Sequence, residues 1–263
     1  MIKSIISNAL IGKQILKRNL SSEFNDFHKN SYYQNSIKNF LDNEDIQKIN
    51  KLVEINNMND KFFYDTPHTN KHVKYIDNSG NEVVVNKGYG TLQTLLKKDK
   101  DVDFFNSLIE KIDPMKLIHK IYEFPEVTAI KIERKRTTTI ENYNEYKFNS
   151  VHVDDFARSL KMYIYLSDVS NMNGPFKIYK GTANWEKFLK IAYLIKSRKL
   201  RYFPEKLCKS IDYTLDTLIG EKGQFFIFSG NALHSASNVI NDYRDTIQIY
   251  FDSKNISWYS KVA

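Results

Sequence analysis

The chain has 263 residues, of which 41% are hydrophobic, 27% charged and 14% aromatic, a composition typical of a folded globular protein and not of a disordered chain. No apolar run approaches the roughly 20 residues that a membrane-spanning helix needs. The single cysteine, Cys208, excludes an internal disulfide and a cysteine-rich zinc site, and it favours a reducing, cytoplasmic location. The net charge of +8 is spread along the chain, so it is weak evidence for an anionic partner, and we expect no nucleic-acid binding.

The first 125 residues are predicted to be mostly helical. Residues 1–20 place Ala9, Leu10 and several isoleucines at helical spacing. This predicts an amphipathic helix that packs on the domain or on a partner chain; a signal peptide and a membrane-surface helix are less favoured. The further predictions are a helix capped by Asp42 or Asn43, a loop over residues 56–72, a hairpin over residues 73–85, and a helix over residues 103–122 that Pro114 interrupts.

From about residue 126 the pattern changes to strands. Segments rich in β-branched and aromatic residues predict five of them, at residues 127–140, 161–169, 175–181, 223–230 and 245–252. A basic, aromatic insertion at about residues 183–218 interrupts the series, and we predict that it is helical. Since the sequence contains no repeat and no linker-like tract, we expect one domain over residues 1–263.

Two histidines and an aspartate form a candidate metal site. His152 and Asp154 form an H-x-D motif ahead of the strand predicted at residues 161–169, and His234 follows the strand predicted at residues 223–230. Residues i and i+2 of a strand point to the same side, so His152 and Asp154 can both face one metal. Two imidazoles and one carboxylate on one face are the ligand set of non-heme iron(II) oxygenases.

An R-x-T motif in the last predicted strand adds a candidate carboxylate site. Arg244 and Thr246 share a face of that strand. A keto acid such as 2-oxoglutarate chelates the metal at one end and needs a cation and a hydroxyl at its far carboxylate. Arginine pairs with carboxylates in a bidentate geometry, so these two residues are predicted to bind the cosubstrate.

The stretch from Ser150 to Phe251 resembles the phytanoyl-CoA dioxygenase-like family of Fe(II)/2-oxoglutarate oxygenases. The matching segments are HVDD, YIYLSDVSNMNGPFKIYKGT and GQFFIFSGNALHSASN. The resemblance implies a mainly β fold with flanking helices, in which a cupin-like double-stranded β-helix, or jelly roll, covers residues 126–255. The first 125 residues resemble the family only faintly.

The resemblance also implies roles for individual residues. His152, Asp154 and His234 correspond to the family's catalytic metal ligands, Arg244 to its 2-oxoglutarate arginine, and Tyr163 and Thr246 to further cosubstrate contacts. One departure is Lys180–Ala183, where the family usually has PG-[ST]-H. Halogenases of the superfamily replace the metal carboxylate with a small residue, so the presence of Asp154 indicates hydroxylation or another oxidation instead.

We therefore predict an Fe(II)/2-oxoglutarate-dependent dioxygenase, with dioxygen as co-reactant and succinate and CO2 as coproducts. Its expected substrate is a small or carrier-linked biosynthetic metabolite. The lysines and arginines of the insertion at about residues 183–218 either face an anionic group of that substrate or are simply solvated. Two alternatives stay open: a jelly-roll binding protein without turnover, and a cupin-type metal enzyme that does not use 2-oxoglutarate. The sequence does not predict the oligomeric state.

Overall fold

A computed structural model describes residues 27–251, except for residues 28, 68, 70, 97–98, 113–128, 140–149, 155–159, 184–190, 192, 195–202, 205–206 and 209–212. The helices are α1 (Asn43–Asp65) and α2 (Asp99–Ile112), with short 3-10 turns at Ile37–Asn39 and Lys87–Tyr89. The strands are β1 (Tyr32–Ser36), β2 (Val73–Ile76), β3 (Glu82–Asn86), β4 (Thr91–Leu95), β5 (Ala129–Thr138), β6 (Leu160–Tyr165), β7 (Phe176–Tyr179), β8 (Leu215–Leu218), β9 (Gln224–Ser229), β10 (His234–Ala236) and β11 (Tyr243–Phe251).

Two antiparallel sheets face each other. The larger has eight strands in the order β1-β9-β6-β11-β5-β4-β3-β2, and the smaller has three in the order β10-β7-β8. Between the sheets, aromatic side chains of β6, β7 and β9 form one core cluster that includes Tyr165, Phe176, Phe226 and Phe228. This arrangement confirms the predicted mainly β architecture.

The two helices belong to a core on the outer side of the large sheet. Ile49 of α1 and Phe105 and Leu108 of α2 form one cluster with Ile247 and Ile249 of β11. Alternation along β11 then turns Arg244, Thr246, Gln248 and Tyr250 to the opposite side, between the sheets. Among the described helices, none is both long and apolar enough to span a bilayer.

Helix α1 begins as predicted but extends further. The Asp42 side chain accepts a hydrogen bond from the Asp45 backbone N–H at 2.9 Å and so caps the helix. The loop predicted over residues 56–72 is wrong for residues 56–65, which are helical. The polar composition of this segment suggested a loop, but tertiary packing stabilises the helix: the Phe62 ring stacks on Tyr75 with centroids 4.8 Å apart.

The strand predictions were accurate where residue alternation is strong. The predicted hairpin corresponds to β2 and β3, and the five later predictions correspond to β5, β6, β7, β9 and β11. Strands β1, β4 and β10 were not predicted, and β8 replaces helix at the end of the segment assigned to a helical insertion. Most of the predicted helical insertion lies outside the described residues, and Tyr193, one of the residues described there, is 71% exposed. The N-terminal helix predicted for residues 1–20 and the Pro114 break lie outside the described residues.

Candidate active site

A backbone ladder brings the three predicted metal ligands together. His152 and His234 face each other in an antiparallel bridge, and each donates its backbone N–H to the other's carbonyl at 2.9 Å. The Asp154 N–H donates to the Gly230 carbonyl at 2.8 Å and continues the same ladder. Because residues two apart in an extended chain share a face, all three side chains project to one side.

The resulting geometry suits one metal ion. Suitable ligand atoms of His152, Asp154 and His234 all lie within 4.8 Å of one another. The Nε2 atom of His234 lies 3.1 Å from Oδ2 of Asp154, and Nε2 of His152 lies 3.7 Å from Oδ1. His234 is buried while the other two side chains are partly accessible, so a metal would be shielded on one side and reachable on the other.

Both imidazoles are oriented by backbone carbonyls. Nδ1 of His152 lies 2.8 Å from the Ser150 carbonyl oxygen, and Nδ1 of His234 lies 2.9 Å from that of Ala232. A carbonyl only accepts hydrogen bonds, so Nδ1 of each ring carries a proton and donates it. The lone pair of each Nε2 atom is then available to a metal, which is the usual outer-shell arrangement for metal-binding histidines.

The surroundings of Asp154 and His234 favour the protonation state in which each side chain can bind a metal. Burial alone would raise the pKa of Asp154, but its interactions with His152, His234 and Lys161 outweigh burial and hold that pKa well below its usual range. Burial lowers the pKa of His234, and its contact with Asp154 only partly offsets this. At neutral pH the carboxylate is therefore charged and the His234 ring is neutral.

All six residues predicted to bind metal or cosubstrate line one cavity. Its volume is about 520 Å³, within the range of small-molecule sites, about 300–1,000 Å³. These residues are His152, Asp154, Tyr163, His234, Arg244 and Thr246. The cavity also extends past the 3-10 turn at Lys87–Tyr89 to the start of β4, where Tyr89 and Thr91 line it.

Arg244 has an unsatisfied donor in this cavity. Its Nη1 atom is buried and has no hydrogen-bond partner among the described residues, and burial lowers its pKa. Thr137, directly opposite Arg244 in the β5–β11 register, likewise has a buried hydroxyl that no described residue satisfies. Unpaired buried polar atoms are costly, and a carboxylate is a group that could accept hydrogen bonds from both.

The other two predicted cosubstrate contacts are differently placed. The Thr246 hydroxyl donates to the Lys135 carbonyl at 3.2 Å and accepts from Nε2 of Gln248 at 3.2 Å, so it already has partners. The Tyr163 ring contacts Phe176 and Phe228, with centroids 5.6 and 5.1 Å away. Tyr163 thus forms part of the aromatic wall between the sheets.

Two cationic residues that line the cavity, Lys135 and Lys161, were not among the predicted site residues. Lys161 lies on β6 two residues before Tyr163, and its Nζ atom is 2.7 Å from Oδ2 of Asp154. The alternating patterns K-x-Y along β6 and R-x-T-x-Q-x-Y along β11 could have indicated which side chains of these two strands point into the cavity. Contact between a strand lysine and a loop aspartate, however, has no sequence signal.

No model of a known protein family matches the sequence, and no curated protein matches it. Several solved structures share the fold. The non-heme alpha ketoglutarate dependent epimerase SnoN from nogalamycin biosynthesis matches with a TM-score of 0.54 and 13% identity, over 87% of this chain and 81% of its own. The carbocyclase SnoK of the same biosynthesis matches with a TM-score of 0.55 and 9% identity, over 89% and 84%.

HygX from Streptomyces hygroscopicus, solved with nickel and 2-oxoglutarate bound, matches with a TM-score of 0.52 and 12% identity, over 89% of this chain and 88% of its own. At such identities the likeness concerns architecture alone. It confirms the predicted fold class, since the described strands form a jelly roll that this chain shares with SnoN, SnoK and HygX.

Proposed function

We propose that this protein is an Fe(II)/2-oxoglutarate-dependent dioxygenase that oxidises a C–H bond of a small or carrier-linked metabolite. The observation that carries the proposal is a single cavity with two complementary sites. One is the cluster of His152, Asp154 and His234, and the other is the unsatisfied pair of Arg244 and Thr137. A keto acid that chelates a metal through one end and offers a carboxylate at the other fits both sites at once.

The three ligand residues fit iron(II). Two neutral imidazoles and a carboxylate on one side of the metal leave the opposite positions open, as in the facial triads of non-heme oxygenases. Iron bound there would activate dioxygen with electrons from the decarboxylation of 2-oxoglutarate, giving succinate and CO2. The protein's own contribution is to fix the ligands through the two backbone carbonyls at Ser150 and Ala232.

Arg244 and Thr137 fit the far carboxylate of 2-oxoglutarate. An arginine donates charge-assisted hydrogen bonds to a carboxylate, and the Thr137 hydroxyl adds a neutral donor. Thr246 stays a predicted contact, although its hydroxyl is already paired. Tyr163 is proposed to line the space between the metal and Arg244.

Aromatic side chains exclude water from one side of the metal site. Phe176 stacks on the His234 ring with centroids 5.3 Å apart, and Phe228 meets the same ring edge-on at 5.2 Å. An apolar wall of this kind strengthens electrostatic interactions in the cavity and protects reactive species from solvent. The wall would therefore limit the access of water to reactive species formed at the metal.

The charges of the cavity favour an anionic substrate. Arg244, Lys135 and Lys161 line it against one carboxylate, that of Asp154. With a divalent metal and both carboxylates of 2-oxoglutarate in place, cations still outnumber anions, so a phosphate or carboxylate on the substrate would complement the field. The fold neighbours named as an epimerase and a carbocyclase support leaving the outcome of the oxidation open.

An anaerobic titration tests the proposal. Fe(II) is added first and 2-oxoglutarate second, while visible absorption is followed. A weak metal-to-ligand charge-transfer band that requires both additions is expected in the wild type and should be absent in His152→Ala. Substrate candidates would then be screened by succinate release.

Two other outcomes identify the alternatives. Protein that is folded and binds Fe(II), but gives no band with 2-oxoglutarate, would be a jelly-roll metal enzyme of another kind. Folded protein that binds no metal would be a binding protein without turnover, and either outcome overturns the proposal.

A further inference from the structure

Two lysines lie on either side of one tyrosine ring inside the large sheet. Tyr250 of β11 is in register with Lys131 of β5 on one side and with Lys161 of β6 on the other. Each ammonium nitrogen lies 4.8 Å from the centroid of the Tyr250 ring, within the range of cation–π interactions. The ring itself is anchored, because its hydroxyl donates to Glu133 at 2.7 Å and contacts Oε1 of Gln248 at 3.0 Å.

The two lysines differ in the carboxylate that each one contacts. Lys131 forms an ion pair with Glu133, which does not line the cavity. Lys161 forms one with the candidate metal ligand Asp154, with Nζ 2.7 Å from Oδ2. The Lys161 side chain is 13% exposed and that of Lys131 is 44% exposed, so the lysine beside the metal site is the better shielded of the pair.

We propose that Lys161 is a positioning residue of the metal site: its ammonium, held against the Tyr250 ring, binds the Asp154 carboxylate at Oδ2 and restricts this carboxylate to metal binding through one oxygen. The inference rests on the proposed function, because it concerns the same candidate metal site. It adds a residue that neither the H-x-D motif nor the resemblance indicated.

The chemistry of a carboxylate explains why such a residue is needed. A free carboxylate can bind a metal through one oxygen or through both. With two imidazoles and a chelating cosubstrate also bound, binding through both oxygens would fill all six positions of an octahedral metal and leave none for dioxygen. A charge-assisted hydrogen bond to one oxygen restricts Asp154 to one-oxygen binding and fixes its rotamer, as outer-shell partners of metal ligands generally do.

The test is a Co(II) titration of four full-length proteins: wild type, Lys161→Met, Lys161→Arg and Lys131→Met. Co(II) is used because its visible bands report both affinity and coordination number. Lys131→Met is the matched control, since it removes the same ammonium from the other side of the same ring. Thermal unfolding of each metal-free protein shows whether it is folded.

We expect Lys161→Met to weaken Co(II) binding by about 10- to 100-fold, the range typical of outer-shell partners, and to change the visible bands. Lys161→Arg keeps the charge and should recover most of the affinity and the wild-type spectrum. Lys131→Met should leave affinity and spectrum unchanged.

Three outcomes would overturn the inference. Unchanged or tighter Co(II) binding by Lys161→Met would mean that the ammonium only repels the metal or has no influence on it. An equal loss in Lys131→Met would assign the effect to packing around Tyr250. Wild-type protein that binds no Co(II) would remove the proposed function together with this inference, whereas normal wild-type binding with an unaffected Lys161→Met variant would remove the inference alone.

Discussion

Replacing Thr137 by valine separates two interpretations of the cosubstrate site. The R-x-T motif predicts that Thr246 supplies the hydroxyl beside Arg244, whereas the structure leaves the Thr137 hydroxyl unsatisfied and gives Thr246 two hydrogen bonds. Valine keeps the shape of threonine and removes only the hydroxyl's hydrogen bonding. Thr137→Val and Thr246→Val are therefore matched variants on neighbouring strands of the same cavity.

The two variants should change stability and affinity in opposite ways. A hydrogen bond to a charged group contributes about 1.5–3 kcal/mol, so losing the Thr137 donor should weaken 2-oxoglutarate binding about 10- to 150-fold. The same change removes a buried unsatisfied hydroxyl from the ligand-free protein, which should then be as stable as the wild type or more so. Thr246→Val instead breaks two existing bonds and should lower stability by about 1–3 kcal/mol, with little specific effect on affinity.

Affinity is measured by titrating 2-oxoglutarate into Fe(II)-loaded protein under anaerobic conditions, and stability by urea unfolding of the metal-free protein. The pattern to look for is weaker binding with undiminished stability in Thr137→Val, and the reverse in Thr246→Val. If Thr137→Val binds 2-oxoglutarate like the wild type while Thr246→Val loses affinity, the argument from unsatisfied atoms is wrong and the motif was the better guide.

Three further predictions concern buried charges. Arg244→Met should weaken 2-oxoglutarate binding by about 2–5 kcal/mol, the cost of removing one partner of a buried charged hydrogen bond, and a loss below about threefold in the same titration would contradict the carboxylate site. Asp245→Asn should lower the free energy of unfolding in urea by about 3–5 kcal/mol, because Arg134 and Arg136 both donate to this fully buried carboxylate at 2.8 Å. A loss under about 1 kcal/mol, as for an ion pair on the surface, would refute the predicted role of these ion pairs. Burial lowers the pKa of Lys135 from 10.5 to about 8. Above about pH 8 the unfolded chain therefore binds more protons than the folded one, so the stability of the wild type relative to Lys135→Met should rise between about pH 8 and pH 10. A stability difference in urea unfolding that does not change with pH would contradict this prediction.

The sequence allowed prediction of those features that depend on neighbours along one strand. The i and i+2 spacing of His152 and Asp154 correctly predicted that both side chains face the same way, and the alternation in β11 correctly placed Arg244 in the same cavity. Long strands such as β5 and β11 were also predicted, because their alternation extends over enough residues to be distinctive. Local periodicity is a physical property of the backbone and needs no knowledge of the partner strand.

Short or polar elements could not be predicted in this way. Strand β1 has the sequence YYQNS, and its five residues pair with β9, about 190 positions later in the chain. The last ten residues of α1 are polar at many positions, and their helical structure depends on contacts such as that between Phe62 and Tyr75. In both cases tertiary contacts outweigh local propensity.

The register between β5 and β11 determines which residues form the proposed cosubstrate site, and the outer face of the sheet restrains that register. Asp245 lies opposite Arg136 and also binds Arg134, so the buried ion pairs fix β5 against β11 on the helix side. On the opposite side the same register places Thr137 beside Arg244. A slip of β5 by one residue would turn both arginines into the cavity and remove both guanidinium contacts from the buried Asp245 carboxylate, a costly state. The charged residues behind the sheet therefore stabilise the alignment of the polar residues in front of it.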